Sequence, residues 1–504
     1  MTLRDLVLEM GGAVLAGDPG VAVTGLALDS RRVRQGDLFF ALRGRKSDGG
    51  AFLDAAFAAG AAGAVVARGT RSAHAPVIEV AEPRLALAQA AGRLFGHPSR
   101  ALPVVGVTGT NGKTTVTWML ESIFRAAGRK PGVIGTTGYR IGGESRPAPF
   151  TTPEAPELQG LLREMVERGV QAAALEVSSH ALAQHRSHGL ECDVAVFTNL
   201  TQDHLDFHGT MEAYLDAKLM LFDGRNGASA KRRAAVVNAD DPSAERVIAA
   251  AAQGGLEALT IGLGAAPAAG AAPDLGIAQV HPRKGGLELE LRGGLPGQGG
   301  AGATLRLPLL GRHNAVNAAL AYLAALRLGI DSAAAARGLE GMPAVPGRLE
   351  PVDAGQGFAV LVDYAHTPDA LRRALAAARE HFAGRVLLVF GCGGDRDRAK
   401  RPLMGRAAAE LADRAWVTND NPRSEDPRTI AAEIVAGAPR AALEVELDRA
   451  QAIALALEAA APGDVVLIAG KGHETTQTLG DRVLPFDDRA VARARLLGRE
   501  GRGS

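Results

Sequence analysis

The sequence predicts a doubly wound α/β protein of about three domains, and three observations carry that prediction. Short β-like runs alternate with Ala-rich helical stretches over almost the whole length. The 504 residues are too many for one small module, at roughly 150 residues per domain. Apolar residues make up 47% and charged residues 22%, the balance of a chain that buries several cores rather than staying disordered. With only 14 Phe, 4 Tyr and 2 Trp, those cores must be built chiefly from Ala, Val, Leu and Ile. Stacking on nucleic-acid bases is therefore not the main business.

Taken in order, residues 1–12 place Leu3, Leu6, Val7 and Met10 at helical spacing, with Arg4, Asp5 and Glu9 among them. A signal peptide has a charge-free core, so an ordinary amphipathic helix is expected. Strands are expected at 63–67, 104–108, 172–177, 194–199, 234–238, 385–390, 416–419 and 464–469, and nearly all run into polar or Gly-rich turns. In doubly wound sheets ligands bind beyond the carboxyl ends of the strands, which makes those turns the places to look for chemistry. His97-Pro98-Ser99-Arg100 with Pro103, and later Val345-Pro346-Gly347, punctuate the chain and divide it into 1–98, 99–346 and 347–504. Between 262 and 304 the chain is rich in Gly, Ala and Pro, and Leu287-Glu288-Leu289-Glu290-Leu291 alternates cleanly, the signature of a loop-flanked hairpin within the central domain. Residues 498–504 read as a frayed tail.

The formal net charge of +1 leaves no global field to gather nucleic acid or an anionic membrane, so an anionic ligand must be met locally. The most apolar stretch, 450–461, is interrupted by Gln451 and Glu458 and falls short of the ~18 residues a membrane span needs. Cys192 and Cys392 are the only cysteines, too few for a disulfide framework or a zinc-spaced cluster, which suits a reducing cytosol. A soluble, cytoplasmic protein without membrane insertion or a nucleic-acid partner is expected.

The strongest chemical signal is the apolar run Val104-Val105-Gly106-Val107-Thr108 entering Gly109-Thr110-Asn111-Gly112-Lys113-Thr114-Thr115. Glycines let backbone N–H groups wrap phosphate oxygens and a helix N-terminus adds positive potential. Lys113 can reach the terminal phosphates and Thr114 can ligand Mg²⁺. Val107 stands where the usual pattern has Gly, so the loop is a variant. An ATP site alone suits a kinase, a motor, a switch or a ligase. The other strand ends offer Glu176-Val177-Ser178-Ser179-His180 and the run from Asn199 to His208, a carboxylate and imidazoles near the nucleotide. Glu176 is a candidate magnesium ligand, directly or through water, whereas His180 and His208 read equally well as structural. Lys218 sits in a helix-like segment, where the pattern alone makes it a solvated surface residue. Asn314 and Asn317 share a helix face, and Arg348 and Asp363 stand at turns or strand ends.

Together the runs GTNGKTT (109–115), EVSSH (176–180), NLTQDHLDFHG (199–209), GRHNAVN (311–317), PGRLE (346–350), DYAHTP (363–368) and GCGGDRD (391–397) resemble the Mur ligases of peptidoglycan synthesis, in order and over nearly the whole chain. LDSRRVRQGDLFFAL (28–42) and DNPRSEDP (420–427) are similar to the branch of that family that joins meso-diaminopimelate to UDP-N-acetylmuramoyl-L-alanyl-D-glutamate. The resemblance implies a UDP-binding N-terminal domain, a central P-loop ATPase with a parallel sheet and a C-terminal Rossmann-like domain that admits the amino acid. It implies ATP and Mg²⁺ as cofactors, those two substrates as partners, and a monomer working in cell-wall biogenesis.

By the same resemblance Ser30 holds the UDP end, and Thr151, Thr152, Ser178, Gln184 and Arg186 grip the muramoyl-peptide. Gly109 to Thr115, Asn314, Arg348 and Asp363 contact the nucleotide. Thr114, Glu176, His204 and Lys218, the last as a carbamate, ligate magnesium, and Lys113, Lys218, Glu176 and His204 form the catalytic set. Arg396, Asp420, Asn421, Pro422, Arg423, Gly470 and Glu474 form the diaminopimelate pocket. Arg45-Lys46-Ser47 departs from the more usual His-Gln-Ala near the uridine. The implied chemistry is physically coherent. A carboxylate is inert to amines at neutral pH, so ATP first converts it to an acyl phosphate, which the amine then attacks. Lys113, two magnesium sites and Arg348 would offset the repulsion between anions. A folylpolyglutamate synthase-like ligase shares the loop variant but gives no reason for residues 1–98 or the DNPR turn. A P-loop switch or kinase leaves the C-terminal domain unexplained.

Overall fold

The computed structural model describes residues 1–11, 14–44, 48–263, 272–295, 302–438 and 443–500. The stretch Arg45-Lys46-Ser47 lies outside them. Three sheets follow one another along the chain, each with its own buried core.

The first is five-stranded, in the order Val14–Ala16, Val77–Val80, Gly63–Ala67, Asp37–Phe40, Gly25–Ala27, and is parallel except at its first strand. The expected N-terminal helix spans Leu3–Glu9, opened by a reciprocal Thr2/Asp5 capping box, and buries Leu3 and Leu6 against this sheet.

The second sheet has eleven strands. Its middle runs parallel from Leu275–Arg283 through Glu257–Leu263, Ala234–Asn238, Val194–Phe197, Val104–Thr108 and Ala172–Glu176 to Pro131–Gly135. Antiparallel strands extend both edges. The hairpin expected around Leu287 is present as Leu275–Arg283 and Gly286–Gly293, with Ala303–Leu307 added as a further strand. Val104–Thr108 is central and buried at every position, as an apolar run covered on both faces should be. Helices Lys113–Ala126 and His313–Arg327 pack on one face of the sheet, and helix Ala155–Glu167 lies on the other. Alanines let the second of these helices lie almost wholly buried, which is how a chain poor in aromatics fills its core.

The third sheet runs Glu350–Pro351, Ala359–Asp363, Val465–Ala469, Val386–Phe390, Arg414–Val417, Glu444–Val445, parallel after its first pair. A separate hairpin, Thr476–Leu479 with Arg482–Pro485, lies beyond it. The strand expected at 416–419 is shifted toward the N-terminus, because Asn419 leaves the ladder and gives its carbonyl to Arg449. Helix Asp488–Glu500 continues past Gly498, so residues 498–500 are helical where a frayed tail was expected, and 501–504 lie outside the described residues. Among the described residues no helix is long and apolar enough to cross a membrane.

Candidate active site

The chain leaves strand Val104–Thr108 through Gly109 (φ 144°) and enters helix Lys113–Ala126 through Gly112 (φ 92°). Both conformations exclude ordinary side chains. A Cβ at Gly109 would collide with Thr198 Oγ1, and one at Gly112 would come within 2.5 Å of Asn317 Oδ1. The end of the neighbouring strand Val194–Phe197 anchors the loop. Thr110 N donates to Asn199 O (2.8 Å) and Asn111 N to Asn199 Oδ1 (3.0 Å), while Thr198 Oγ1 donates to Asn111 O (2.5 Å). Lys113 Nζ lies on the carbonyls of Gly109 (2.8 Å) and Thr110 (2.9 Å). Burial lowers its pKa, with Glu176 and Asp203 opposing the shift.

Glu176 closes the adjacent strand Ala172–Glu176. Its Oε1 accepts from Thr136 N (2.9 Å), and its Oε2 accepts from Thr136 Oγ1 (2.9 Å) and Thr114 Oγ1 (3.1 Å). Arg348 Nη2 donates to the same Thr114 hydroxyl (3.3 Å) across the domain junction. Among the described residues no group of three or more His, Cys, Asp or Glu side chains is arranged to hold a metal. A hydroxyl beside one carboxylate fits Mg²⁺, which takes its remaining ligands from water and phosphate.

Lys218, expected from its pattern to be solvated, is 1% exposed. Its amine lies 4.2 Å from the centre of the Tyr214 ring and has no hydrogen bond or ion pair among the described residues. Burial drives its pKa well below the usual lysine value, and the charge of Lys113 adds to the shift. Both effects favour the neutral amine over the ammonium form. His180 packs on His204 (4.7 Å) and His208 on Tyr214 (5.0 Å), forming an aromatic wall around it. Burial takes His204 down to about 3 and His208 to about 4, so both rings are unprotonated near neutrality. Asp203 lies between His204 (3.5 Å) and His366 (3.7 Å). Burial raises its carboxyl, but the hydrogen bond with His366 and the nearby positive charge, that of Lys400 included, outweigh burial and hold it well below the usual range.

Asn314, Asn317, Arg348 and Asp363 line a narrow pocket of about 110 Å³ with Asn111, Gly112 and Thr115. It adjoins a wider interdomain cleft of about 930 Å³, and both share Asn199, Asn238, His313, Val316 and Arg373. Asn317 Nδ2 donates to Asn314 Oδ1 (2.9 Å), as a shared helix face predicts. Asp363 accepts from Leu349 N (2.7 Å) and Ala365 N (2.8 Å), so its carboxylate also fixes the interdomain connection.

On the other side of the loop, Thr151, Thr152, Ser178 and Arg186 line a cleft of about 500 Å³ with Lys113, Thr114, Glu176, His204 and Arg348. Thr152 Oγ1 donates to Glu176 O (2.8 Å) and accepts from Ser178 N (3.1 Å). Arg186 pairs with Glu154 (3.1 Å), and its Nη2 donates to Gln184 Oε1 (2.6 Å). Gln184 therefore supports the cleft from behind Arg186 without lining it. Glu154 also pairs with Arg84 (3.2 Å), tying the first domain to the second. Ser30 opens a short 3₁₀ turn capped by Asp29 and lines none of these clefts.

Arg396, Asp420, Asn421, Arg423, Gly470 and Glu474 converge on a further pocket of about 240 Å³. Pro422 shapes the turn without lining it. Arg423 has φ 52° and donates through Nη1 to Gly394 O (2.8 Å). It pairs with neither acidic neighbour. Glu425 is taken by Arg398 (2.6 Å) and Arg401 (2.8 Å), and Asp426 caps helix Pro427–Val435. Asn421 Nδ2 donates to Glu474 Oε2 (2.9 Å) and its Oδ1 accepts from Thr478 N (2.9 Å). Asp203, His204, Tyr364, His366 and Arg396 line both this pocket and the phosphate-loop cleft, so the two are continuous. Sequence reasoning had not singled out Thr136, Asp203, Tyr364, His366 or Lys400. Asp203, Tyr364 and His366 lie inside runs already quoted, whereas Thr136 and Lys400 carry no local signal.

Comparison with known proteins agrees with this arrangement. Family models match in order along the chain: the Mur ligase family catalytic domain over 22–95, the Mur ligase middle domain over 107–325, and the Mur ligase glutamate ligase domain over 347–472. The UDP-N-acetylmuramoyl-L-alanyl-D-glutamate–2,6-diaminopimelate ligase of Geobacillus thermodenitrificans is 44% identical, covering 99% of this chain and all of its own. Its counterpart in Gloeobacter violaceus is 46% identical over 96% of both. A solved structure of a ligase of that name superposes with TM-score 0.68 at 32% identity over 99% of each chain. A folylpolyglutamate synthase from Mycobacterium tuberculosis shares the fold at TM-score 0.63 and 20% identity, covering 82% of this chain and 95% of its own. With three family models spanning its sheets and whole-length relatives above 40% identity, the chain belongs to the Mur ligase family.

Proposed function

We propose that this chain is the ATP-dependent ligase that joins meso-diaminopimelate to UDP-N-acetylmuramoyl-L-alanyl-D-glutamate in the cytoplasm. It acts as a monomer of three domains, 1–98 for the UDP end, 99–346 for ATP and 347–504 for the amino acid. One observation carries the reading: the cleft containing Lys113 and Glu176 and the pocket containing Arg423 share a wall. A carboxylate activated in the first can therefore meet an amine held in the second without leaving the protein.

ATP supplies the phosphoryl group that turns the glutamyl carboxylate into an acyl phosphate, and Mg²⁺ supplies charge that offsets anionic repulsion. Thr114 and Glu176 would hold one ion. His204 and Lys218 would hold the second: the Lys218 amine adds to carbon dioxide, forming an N–C bond and releasing one proton to water, and the carbamate so formed would replace an unpaired amine with an anionic ligand. The loop N–H groups and Lys113 cradle the phosphates, with Asn314, Arg348 and Asp363 around the nucleoside. Arg348 reaches from the third domain to Thr114 and adds positive charge at the transferring group. Thr151, Thr152, Ser178 and Arg186 orient the muramoyl-peptide, Gln184 braces Arg186, and Ser30 holds the UDP end on the first domain. Arg396 and Arg423 face the pocket without acidic partners among the described residues and bind carboxylates, while Asp420 and Glu474 receive ammonium groups. Asn421 and Pro422 hold Glu474 and the turn in place. The test is whether phosphate release requires both the UDP-muramoyl-dipeptide and meso-diaminopimelate. Release that continues with either one absent contradicts the reading.

A further inference from the structure

We infer that the buried pair Arg449–Asp488 is a positioning device that fixes the distance between the turns beginning at Asp420 and Gly470, and thereby sets which diamino acid the pocket accepts. The inference rests on the reading of that pocket given above. Both side chains are fully buried. Arg449 Nε donates to Asp488 Oδ1 (2.7 Å) and Nη2 to Oδ2 (2.6 Å), a fork-to-fork contact. The same guanidinium reaches two backbone carbonyls, Asn419 O from Nη1 (3.2 Å) and Ala469 O from Nη2 (3.0 Å). Those carbonyls immediately precede Asp420 and Gly470.

The strands that deliver the two turns, Arg414–Val417 and Val465–Ala469, are not neighbours, because Val386–Phe390 lies between them. No backbone ladder joins their carboxyl ends directly. A rigid, planar guanidinium spans that gap and can fix the spacing. There is little slack, since a Cβ on Gly470 would lie 2.6 Å from Asp420 Oδ2. Stability alone does not account for the pair. Burying two charges costs desolvation that an apolar pair of similar volume avoids. Arg449 also opens helix Arg449–Ala459, the end where the helix dipole disfavours a cation. The two tethered carbonyls are what an apolar pair could not hold.

The test uses the full-length double variant R449M/D488V, which roughly keeps the volume and removes both charges, together with R449K, which keeps the charge without the fork. For each, the melting temperature and KM for ATP, the UDP-muramoyl-dipeptide and meso-diaminopimelate are measured, along with kcat/KM for L-lysine. A folded double variant is expected to raise KM for diaminopimelate about tenfold or more while the other two KM values stay within about twofold. Its preference for diaminopimelate over lysine should shrink in step, and R449K should shift the same KM in the same direction. Unchanged KM and preference in a folded variant overturn the inference, as does an equal rise in all three KM values. Loss of folding in both variants also overturns it, since the pair would then hold the domain rather than the pocket. If the unmodified protein does not use meso-diaminopimelate, the functional reading fails first, and the same comparison runs with the amine it does accept.

Discussion

If Arg423 binds the amino acid's distal carboxylate as proposed, replacing it by alanine should separate that recognition from the rest of the reaction. The guanidinium is half-buried, gives one N–H to Gly394 O at 2.8 Å and has no carboxylate partner among the described residues, because Glu425 and Asp426 are engaged elsewhere. Its backbone is left-handed at φ 52°, and alanine bears that strain no worse than arginine, so the substitution reports on the side chain. Truncating one partner of a desolvated, hydrogen-bonded charge pair costs about 2–5 kcal/mol. At about 1.4 kcal/mol per tenfold, that is a fall of roughly 30- to 4000-fold in kcat/KM, and the half-buried setting places the expectation near 100-fold. L-Lysine lacks the distal carboxylate, so its kcat/KM should fall by less than about tenfold. Steady-state kinetics with both amines, at saturating ATP and UDP-muramoyl-dipeptide, measure the two ratios. Parallel losses on both amines would refute the assignment, because Arg423 would then be supporting the turn and not the ligand.

Lys113→Ala should lower ATP-dependent product formation by about 10³-fold or more at saturating ATP, since the loop loses its only cation; near-normal turnover would sink the phosphate-cradle assignment. Lys218→Ala should be about 100-fold or more impaired, with partial recovery on adding small carboxylates that replace the carbamate, as followed by activity with and without the additive. Glu425 is held at about 2 chiefly by its hydrogen bond from Arg401, against the opposing effect of burial. A carboxyl depressed in the folded state contributes stability above its unfolded pKa and loses it as pH falls toward the folded value. The melting temperature of Glu425→Gln should therefore fall less than that of the unmodified protein between pH 5 and pH 2, and parallel curves would contradict the pairing.

What the sequence made legible was what local physics fixes. The glycine-rich turn between strand Val104–Thr108 and helix Lys113–Ala126 reads directly, because Gly109 and Gly112 are required by their backbone conformations. The central strands read as well, since Val104–Thr108 and Ala234–Asn238 are apolar runs covered on both faces. Lys218 read wrongly on pattern alone, because its burial comes from the Tyr214 ring one turn back on its own helix and from the segments Ser179–Ala183 and Leu205–His208 packed against that helix, which its own periodicity does not announce. Thr136 and Lys400 were invisible, since each gains its place only when a distant strand end is brought beside it. The hairpin Thr476–Leu479 with Arg482–Pro485 was missed for a similar reason: its strands are short, largely exposed and anchored through Asn421 and Arg423.

The most direct test of the account follows the oxygen atoms. In an acyl phosphate, the bond between the carboxylate oxygen and phosphorus survives amine attack, and the leaving phosphate carries that oxygen away. The UDP-muramoyl-dipeptide, labelled with heavy oxygen in its glutamyl carboxylates, is incubated with this protein, ATP and meso-diaminopimelate, and both products are weighed by mass spectrometry. The account predicts UDP-muramoyl-tripeptide and inorganic phosphate in equal amounts, with one heavy oxygen transferred to each phosphate. Unlabelled phosphate, or phosphate released without tripeptide, would contradict it.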